Sequence, residues 1–571
     1  MRILLNTVLV VLLLWSSAHA EGGFVIEILH LNDTHSNLIP AGLKIYPFPG
    51  DDRITIPAGS VARTASEIAA IRATGENVVF LHAGDLVQGT LFYTVYGGAA
   101  DADVYNVIRP DVMTLGNHEF DRGSEGLAHL LDQLRFPVVC ANIDVSSDSL
   151  LTGRIRPCTV LEVGGERIGV VGLLTEELQS VSSPSPETVL LPLAGSAQAV
   201  IDSLHGLGVN KIIILSHIGY ENDLQLASQL TGADVIVGGH SHTLLGDFSR
   251  MGLDPQGDYP TVVQAADGRT VLVVQAWRYG QVLGRLRVEF DEDGSVEGFT
   301  GSPVILTGEP FLTGSGDTLS GPFLESFLAV LEEDPLLSVV PEDGLVAGIV
   351  ESYSEAISGL EEEPVAEAED DLPHIRIPGG NLPGGSMIAP IVCDALLWKA
   401  NEIGAGADIA LQNAGGVRID IPKGWITVGA VYRLLPFSNT LAVLDISGQE
   451  MRETLENALT DIFDGGCSDG AFPYVAGMRF TALRDAPSGQ RITDLEVRGP
   501  DGSYMAIDPS RTYRLVTNAF VAGGGDGYSM LAGRPFTDTG FTDSEVFIEY
   551  LEMMGTVQPV EQRVFLVDAI E

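Results

Sequence analysis

Basic residues are scarce in this sequence. Its 571 residues include 77 aspartates and glutamates but only 31 lysines and arginines, which gives a formal net charge of −46 at pH 7. Charged residues make up only 19% of the chain, so the imbalance comes from a shortage of bases rather than an excess of acids. A surface this acidic repels phosphate backbones and argues against nucleic acid as a main partner. An anionic substrate would need metal ions and a few well-placed arginines.

Cysteine is also rare, with four residues in the whole chain. No two of them form a Cys-x-x-Cys pair, so a thiolate metal site is not indicated. Four cysteines allow three complete disulfide pairings, and the sequence does not choose among them. The four residues are Cys140, Cys158, Cys393 and Cys467.

An apolar run from Ile3 to Trp15 follows Arg2 at the N-terminus. It is shorter than the roughly 20 residues that a membrane span needs. It precedes Ala18-His19-Ala20, which fits the small-x-small pattern of a cleavage site. We therefore expect residues 1–20 to be a signal peptide and the mature protein to be periplasmic or secreted, without a stable membrane anchor. The sequence gives no indication of an oligomeric state.

The chain is longer than one hydrophobic core usually supports, so we expect two domains. Between Phe24 and about Thr300, short strands rich in Val, Ile and Leu alternate with helical stretches, a pattern typical of α/β layering. An acidic stretch with a candidate helix at 344–360 follows, and then a Gly/Pro-rich loop and a second α/β unit. We expect a first domain at 24–340, an acidic linker with a helix at 341–373, and a second domain at 374–571. Alternatively, the helix belongs to the surface of one domain.

Five apolar segments of the first domain are each followed by side chains that can bind metal ions. The segments are Ile26–Leu31, Val78–Ala83, Val112–Leu115, Lys211–Leu215 and Val235–Val237. The side chains that follow them are, in the same order, Asp33 and His35; Asp85; Asn117 and His118; His217; and His240 and His242. Open α/β folds place their ligand sites at the carboxyl ends of the strands. Any one of these patterns is commonly incidental, but five in order are hard to explain by chance.

This set of ligands suits hard to borderline cations. Carboxylate, amide oxygen and imidazole bind Zn, Mn, Fe, Mg or Ca, with differing preference. Two such ions, about 3.5–4 Å apart, can polarise a phosphoryl oxygen and generate hydroxide at neutral pH. We therefore expect two divalent metal ions of unidentified element and a hydrolytic reaction at phosphorus.

The same motifs resemble those of the calcineurin-like metallophosphoesterases. More narrowly, Leu31–Ser36 (LNDTHS) and Gly116–Gly123 (GNHEFDRG) resemble the 5'-nucleotidase / UDP-sugar hydrolase family. The resemblance implies an α/β fold in which a four-layer α/β/β/α metallophosphoesterase sandwich is joined by a helical linker to a second, smaller α/β substrate-binding domain.

The resemblance also implies roles for individual residues. One metal ion would be held by Asp33, His35, Asp85 and His242, and the other by Asp85, Asn117, His217 and His240. Asp85 would bridge the two ions, and His242 stands at a position where family members also carry Gln or Asn. His118 would face the leaving ester oxygen and Asp121 would orient it. A carboxylate three residues away can fix the tautomer of an imidazole and keep it cationic.

The likeness continues through the second half of the chain. Gln412–Arg418 (QNAGGVR), Leu435–Asn439 (LPFSN) and Asn518–Tyr528 (NAFVAGGGDGY) resemble the nucleotide-binding segments of the family. They imply that Arg418 binds phosphate, Phe437 and Phe520 sandwich the base, Asp526 binds the ribose hydroxyls, and Asn413 and Asn439 contact the ligand. Aromatic faces hold a planar base well, and arginine offers a two-pronged donor to phosphate.

One segment departs from the family pattern. Family members carry an asparagine-rich run, preceded by a further phosphate-binding arginine, where this chain has Gly385–Asp394 (GSMIAPIVCD). The nearest upstream base is Arg376, across a Gly/Pro-rich loop. Either Arg376 substitutes for that arginine or the second phosphate contact is missing.

The expected function is release of phosphate from nucleoside 5'-monophosphates through a metal-bound hydroxide. Alternatives on the same site are UDP-sugar or dinucleotide pyrophosphate cleavage, 2',3'-cyclic nucleotide hydrolysis, and sulfur-ester hydrolysis. A different class is a non-catalytic nucleotide-binding protein, which would be expected to have lost His118 or a bridging ligand. Retention of Phe437, Phe520 and Asp526 favours a substrate that contains a nucleoside.

Overall fold

A computed structural model describes residues 23–47, 52–314, 316–380, 382–437, 439–464, 469–499 and 501–567. The expected signal peptide and Cys467 lie outside these ranges. Within them, Cys140, Cys158 and Cys393 are free thiols. None of the helices in these ranges combines the length and hydrophobicity that a bilayer-spanning segment needs.

The first part of the chain is an alternation of strands and helices that ends near residue 340. Its elements, in chain order, are β1 (Phe24–Leu31), β2 (Ala41–Ile45), β3 (Ile54–Ala58), α1 (Val61–Thr74), β4 (Val78–His82), α2 (Leu91–Tyr96), α3 (Ala99–Ile108), β5 (Val112–Thr114), α4 (Gly123–Gln133), β6 (Val138–Val139), β7 (Ile143–Asp144), β8 (Cys158–Val163), β9 (Glu166–Leu174), α5 (Leu178–Val181), β10 (Val189–Leu190), α6 (Leu193–Gly206), β11 (Lys211–His217), α7 (Tyr220–Gln229), β12 (Val235–Val237), β13 (Thr261–Gln264), β14 (Thr270–Val274), β15 (Val282–Phe290), β16 (Val296–Gly301), β17 (Val304–Thr307), α8 (Gly321–Glu333) and β18 (Leu337–Val339).

These strands form two large sheets that face each other. The first has the order β2-β3-β17-β15-β1-β4-β5-β6, with β16 on β15 and β18 on β17, and the second has the order β13-β14-β12-β11-β9-β8. Strands β1, β4 and β5 run parallel to one another, as do β9, β11, β12 and β14, so each group ends at one edge. Aliphatic side chains such as Ile28, Leu81, Ile213 and Val237 fill the space between the sheets and are excluded from solvent.

Helices cover the outer face of each sheet. Helices α1, α3 and α4 pack on the first sheet through residues such as Ile68, Val104 and Leu127, and α6 and α7 pack on the second through residues such as Ile201 and Leu226. Central parallel strands such as β5, β11 and β12 therefore lack the polar alternation of a half-exposed sheet, because both of their faces are buried. The four-layer α/β/β/α arrangement expected from the family resemblance is confirmed.

The rest of the chain begins with the helix anticipated at 344–360 and forms a second α/β unit. Its elements, in chain order, are α9 (Gly344–Glu361), β19 (Pro364–Ala368), α10 (Ala389–Glu402), β20 (Ile409–Asn413), β21 (Gly424–Thr427), α11 (Val428–Leu434), β22 (Thr440–Ser447), α12 (Gly448–Phe463), β23 (Pro473–Ala476), β24 (Met478–Leu483), β25 (Ile492–Arg498), β26 (Tyr504–Ala506), β27 (Thr512–Asn518), α13 (Ala519–Ala522), β28 (Thr537–Thr542), α14 (Asp543–Met554), β29 (Thr556–Val557) and β30 (Val564–Val567). Its sheets have the orders β21-β19-β29, β23-β20-β27-β22-β28 and β26-β25-β24-β30.

Helix α9 is amphipathic. Asp343 caps its N-terminus by accepting hydrogen bonds from the backbone N–H groups of Leu345 and Val346. Its apolar stripe, with Val346, Val350 and Ile357 buried, packs on the core beneath α1 and α3 of the first unit. The other face carries acidic residues to solvent. The domain limits of 24–340, 341–373 and 374–571 stay a proposal.

The junction of β6 with β9, where the two sheets approach, gives a test of the packing. A Cβ atom on Gly172 would collide with the Val139 carbonyl group, so Gly172→Ala forces two strands apart. We expect a loss of about 1–3 kcal/mol in the free energy of unfolding, measured by denaturant titration.

Gly348→Ala is the matched control, because it adds the same methyl group to an exposed position of α9 with open space around it. There we expect an unchanged or slightly increased stability, since alanine favours a helix over glycine. Equal effects of the two substitutions would contradict the packing described here.

Candidate active site

The candidate metal-ligand residues meet where the parallel strands of the two sheets end. They follow strands β1, β4, β5, β11 and β12, so they come from five different places in the chain. Asp33, His35, Asp85, His240 and His242 all have positive φ angles, between 49° and 77°. Non-glycine residues adopt this left-handed conformation at a cost, which surrounding structure must hold in place, and such strain concentrates at functional sites.

Three overlapping groups of these side chains could hold metal ions. Within each group the candidate ligand atoms lie within 4.8 Å of one another. The groups are Asp33, His35 and His242; His35, Asp85 and His118; and Asp85, His217 and His240. The first and third groups each contain three of the four residues of one ligand set implied by the family resemblance. Asp85 lies between them, as a bridging carboxylate would.

Several nitrogen and oxygen atoms of these side chains point at one another without forming hydrogen bonds of good geometry, and a bound cation would satisfy them. His217 donates Nδ1–H to the Ala83 carbonyl oxygen at 2.7 Å, so Nε2 is the ring nitrogen that faces the cluster, and it can bind a metal ion when it carries no proton. That Nε2 lies 3.1 Å from Asp85 Oδ2 and yet has no hydrogen-bond partner with acceptable geometry among the described residues. The Nε2 atoms of His35 and His242 are 3.0 Å apart. Imidazole and carboxylate lone pairs that converge in this way are the arrangement a bound divalent ion needs.

Asp33 and Asp85 are buried at 0% and 2% exposure. Burial alone would raise the pKa of the Asp33 carboxyl, but the charges of His242 and His217 outweigh burial and lower that pKa to about 2. For Asp85, burial is likewise outweighed, chiefly by His217 and His118, so its pKa lies well below the usual range. Both groups are thus anionic at neutral pH, and buried anions call for cationic partners.

His118 is held beside the cluster by Asp121. Its Nδ1 is 2.7 Å from Asp121 Oδ2, and Asp121 Oδ1 also accepts a hydrogen bond of 2.8 Å from the Ser182 hydroxyl. Burial disfavours a charged His118, but Asp121 and Asp85 outweigh that effect and raise its pKa to about 9. Its Nε2 is 4.0 Å from Asp85 Oδ2 and faces the open cleft, where a substrate oxygen could reach it.

Glu119 contributes to the site, although sequence reasoning assigned it no role. Its buried carboxylate accepts hydrogen bonds from the backbone N–H groups of Gly116, Asp85 and Leu86. Burial and the nearby Asp85 charge raise the pKa of Glu119 to about 7. Its place directly after Asn117 and His118 was the available signal, because a carboxylate there can tie one strand-end loop to the next.

The cleft above the cluster of candidate metal ligands has a volume of about 470 Å³ and is lined by both halves of the chain. The first half contributes His35, Asp85, Asn117, His118, Asp121, His240 and His242, and the second contributes Asn413, Arg418, Phe437, Asn439, Phe520 and Asp526. Asp33 and His217 lie behind this lining, in the fully buried part of the cluster. The sequence-predicted residues are thus gathered into one site.

Phe437 connects the two halves of this cleft. Its ring stacks on the His118 ring with centroids 5.8 Å apart and an angle of 24° between the planes. The Arg418 guanidinium carbon lies 5.6 Å from the Phe437 centroid. Across the cleft, Asn413 donates a 2.5 Å hydrogen bond to Asp526, whose backbone is left-handed with φ 49°. Aromatic, cationic and carboxylate groups therefore face the metal cluster together.

Arg376 also lines the cleft, so the upstream base identified in the sequence does come near Arg418. Its Nη1 lies 2.5 Å from Asp469 Oδ1. The pKa of the Arg418 guanidinium is lowered, first by desolvation from surrounding protein atoms and then by repulsion from Arg376. The Arg418 residue as a whole is nevertheless exposed to solvent in the cleft. The altered segment Gly385–Asp394 forms a turn and the start of α10 and does not line the cleft.

Known proteins match this chain over nearly its whole length. A family model described as "Calcineurin-like phosphoesterase" matches residues 26–244, and one described as "5'-nucleotidase, C-terminal domain" matches residues 375–533. A probable 5'-nucleotidase of Treponema pallidum is 37% identical over 549 residues, covering 93% of this chain and 92% of that protein. The chain belongs to the 5'-nucleotidase family.

A solved structure and a further relative agree with this assignment. The crystal structure of a 5'-nucleotidase precursor from Thermus thermophilus is 38% identical and superposes with a TM-score of 0.79, covering 96% of this chain and 100% of that one. The NAD 5'-nucleotidase of Haemophilus influenzae is 33% identical over 551 residues, covering 92% of this chain and 90% of that protein. As a member of this family, the protein is an enzyme of the 5'-nucleotidase type, a phosphoric ester hydrolase.

The buried Glu119 gives a test of how this nucleotidase holds its metal ions. Glu119→Gln keeps the size of the side chain but turns an N–H group towards the backbone N–H groups that Glu119 now binds. We expect the loop that carries Asp85 to shift and the affinity for Mn²⁺ or Zn²⁺ to fall about 10–100-fold, the range seen when groups that orient ligands are lost. Calorimetric titration of the metal-free protein measures this affinity.

Asp121→Asn is the matched control, because it is an equally conservative change two residues away. It removes the negative charge that faces His118 Nδ1 and leaves the metal-ligand loops in place. We expect near-normal metal affinity together with slower turnover. A metal affinity that falls equally in both variants would contradict the separate roles given to Glu119 and Asp121.

Proposed function

We propose that this protein is an exported two-metal hydrolase that releases phosphate from nucleoside 5'-monophosphates. The observation that supports this best is the single cleft in which the metal-ligand candidates and His118 face Arg418, Phe437, Phe520 and Asp526. Phosphoester chemistry is a property of the family, and the nucleoside-binding groups of the second half select the substrate. Export rests on the expected signal peptide at 1–20.

In the proposed site, Asp33, His35, Asp85 and His242 hold one divalent ion, and Asp85, Asn117, His217 and His240 hold the other. Bound in this way, such ions polarise the phosphoryl oxygens and lower the pKa of water at the site. The chain fixes the positions of these ligands through the strained strand-end loops. Asn32 supports this geometry, because its side-chain amide donates to Asp33 Oδ2 at 2.7 Å and accepts the backbone N–H of Ala276.

His118 acts on the leaving group in this proposal. Asp121, whose carboxylate lies 2.7 Å from Nδ1, favours the protonated imidazole, so His118 can donate a proton to, or stabilise charge on, the ester oxygen that departs with the nucleoside. Asp121 holds Nδ1, so the free Nε2 is the atom that meets the substrate. Ser182 in turn holds Asp121.

The second half of the chain binds and orients the nucleotide. Arg418, with Arg376 beside it, receives the phosphate group, which supplies local positive charge on a protein of net charge −46. Phe437 and Phe520 hold the base, and Asp526 accepts hydrogen bonds from the ribose hydroxyls. Asn413 orients Asp526 through their 2.5 Å hydrogen bond. Asn439, which lines the same cleft, contacts the ligand.

A dinucleotide linked by pyrophosphate is the second candidate substrate. The relative from Haemophilus influenzae is named for NAD, and it aligns with 92% of this chain. Cleavage of such a substrate would use the same metal ions and His118, and would differ only in the group that leaves.

The test of the proposal is phosphate release from AMP after chelation and then with Mn, Zn, Mg or Ca restored. We expect release only with metal, and a drop of about 10²–10⁴-fold in His118→Ala, the range for loss of a general acid. His129→Ala is the matched control, because His129 is exposed on α4 and should leave the rate unchanged. Turnover of UDP-glucose or a cyclic nucleotide, without turnover of AMP, would overturn the monophosphate assignment.

A further inference from the structure

The turn after β14 carries an arginine into the cleft from the metal-bearing half. Trp277 and Tyr279, on either side of Arg278, have left-handed φ angles of 56° and 58°. The turn is tied to the metal loop, since the Tyr279 N–H donates to the Asp33 carbonyl at 2.7 Å and the Asn32 side chain donates to the Trp277 carbonyl at 2.7 Å. Two strained residues around one side chain indicate that its position is specified.

Arg278 lines the cleft but has no charged partner. Its Nε is buried without a hydrogen-bond acceptor, and its guanidinium makes neither a hydrogen bond nor an ion pair with any residue in the described ranges. Its guanidinium carbon instead lies 5.0 Å from the centroid of the Tyr279 ring, a cation–π contact that leaves the N–H donors unused. In a chain with 77 acidic residues, an unpaired arginine inside a cleft is aimed at an anion that comes from outside.

Arg278 lies close both to the candidate metal ligands and to Arg418. The Tyr279 ring lies 5.7 Å from the His242 ring and 5.9 Å from the His35 ring, so Arg278 sits on the His242 side of the cluster. Arg278 is also close enough to Arg418 to contribute to lowering the pKa of that guanidinium. Arginines from the two halves of the chain thus line the same cleft.

We infer that Arg278 is a specificity-determining residue that binds a second phosphate group, adjacent to the one attacked. The inference rests on the proposal that nucleotides are the substrates. In the proposed function, the two metal ions and Arg418, with Arg376 beside it, already bind the terminal oxygens of a single phosphate monoester. A further unpaired guanidinium fits a substrate with more phosphate, namely a nucleoside diphosphate or a pyrophosphate-linked nucleotide.

The test compares two probes on the full, metal-loaded chain by calorimetry: the methylene-bridged analogue of ADP, which is not hydrolysed, and inorganic phosphate. Arg278→Ala should weaken binding of the ADP analogue by about tenfold or more, as expected for loss of a hydrogen bond to a charged group, and binding of phosphate by less than about threefold. Arg278→Lys, which keeps the charge without the two-pronged geometry, should fall between wild type and Arg278→Ala. Thermal melting checks that each variant is folded.

Arg287→Ala is the matched control, because it removes the same charge from an exposed position on β15. Equal weakening of both probes in Arg278→Ala, no weakening, or the same effect in Arg287→Ala would overturn the inference. So would failure of the wild-type protein to bind the ADP analogue. Turnover of AMP is measured in a separate assay. If AMP is not hydrolysed but Arg278→Ala selectively weakens the ADP analogue, the monophosphate proposal fails and the inference about Arg278 stands. If AMP is hydrolysed but Arg278→Ala has no selective effect, the inference fails and the monophosphate proposal stands.

Discussion

Two fully desolvated carboxylates, Asp33 and Asp85, impose the main constraint on this structure. Unpaired charges in a protein interior cost many kcal/mol, so such groups persist only where other charges and donors face them. Here the backbone N–H groups of His240 and His118 point at Asp33 and Asp85, respectively, and histidines surround both. The strained loops, the glycines beside them and the convergence of strands from two sheets all follow from bringing these groups together. A Cβ on Gly239, for instance, would crowd the Ala83 carbonyl and the His217 ring.

The second half of the chain completes the site by closing over this buried charge. Phe437 stacks on His118 and lies near the Arg418 guanidinium, so both halves of the chain contribute groups to one cleft. These contacts matter because basic residues are scarce in the rest of the chain. On a protein of net charge −46, phosphate is attracted only where positive charge is gathered, and the proposed function places that charge in this cleft.

The layered α/β fold and most of the site could be predicted from the sequence, because they depend on local patterns. Apolar strands such as Val235–Val237 are buried on both faces and are followed by glycine and candidate ligand residues. These features can be recognised in the sequence without knowledge of the tertiary structure. Arg278 and Glu119 could not be predicted in the same way, although each follows a strand end. Arg278 is distinguished by the lack of an acceptor for its Nε, and Glu119 by the hydrogen bonds that it accepts from three backbone N–H groups. Both properties arise only when distant segments of the chain fold together. The position of Arg376 near Arg418 also needed the fold, since a Gly/Pro-rich loop separates it from the family motif.

The count of divalent ions bound per chain tests the central claim most directly. Elemental analysis of wild type, Asp85→Asn and His242→Ala, each loaded with the same metal and freed of excess, gives that count. If Asp85 bridges two ions, wild type should hold two, Asp85→Asn should lose both, and His242→Ala should lose no more than the one ion it helps to bind. Retention of an ion at full affinity in Asp85→Asn, or a single ion in wild type, would contradict the account of a bridged pair at the strand ends.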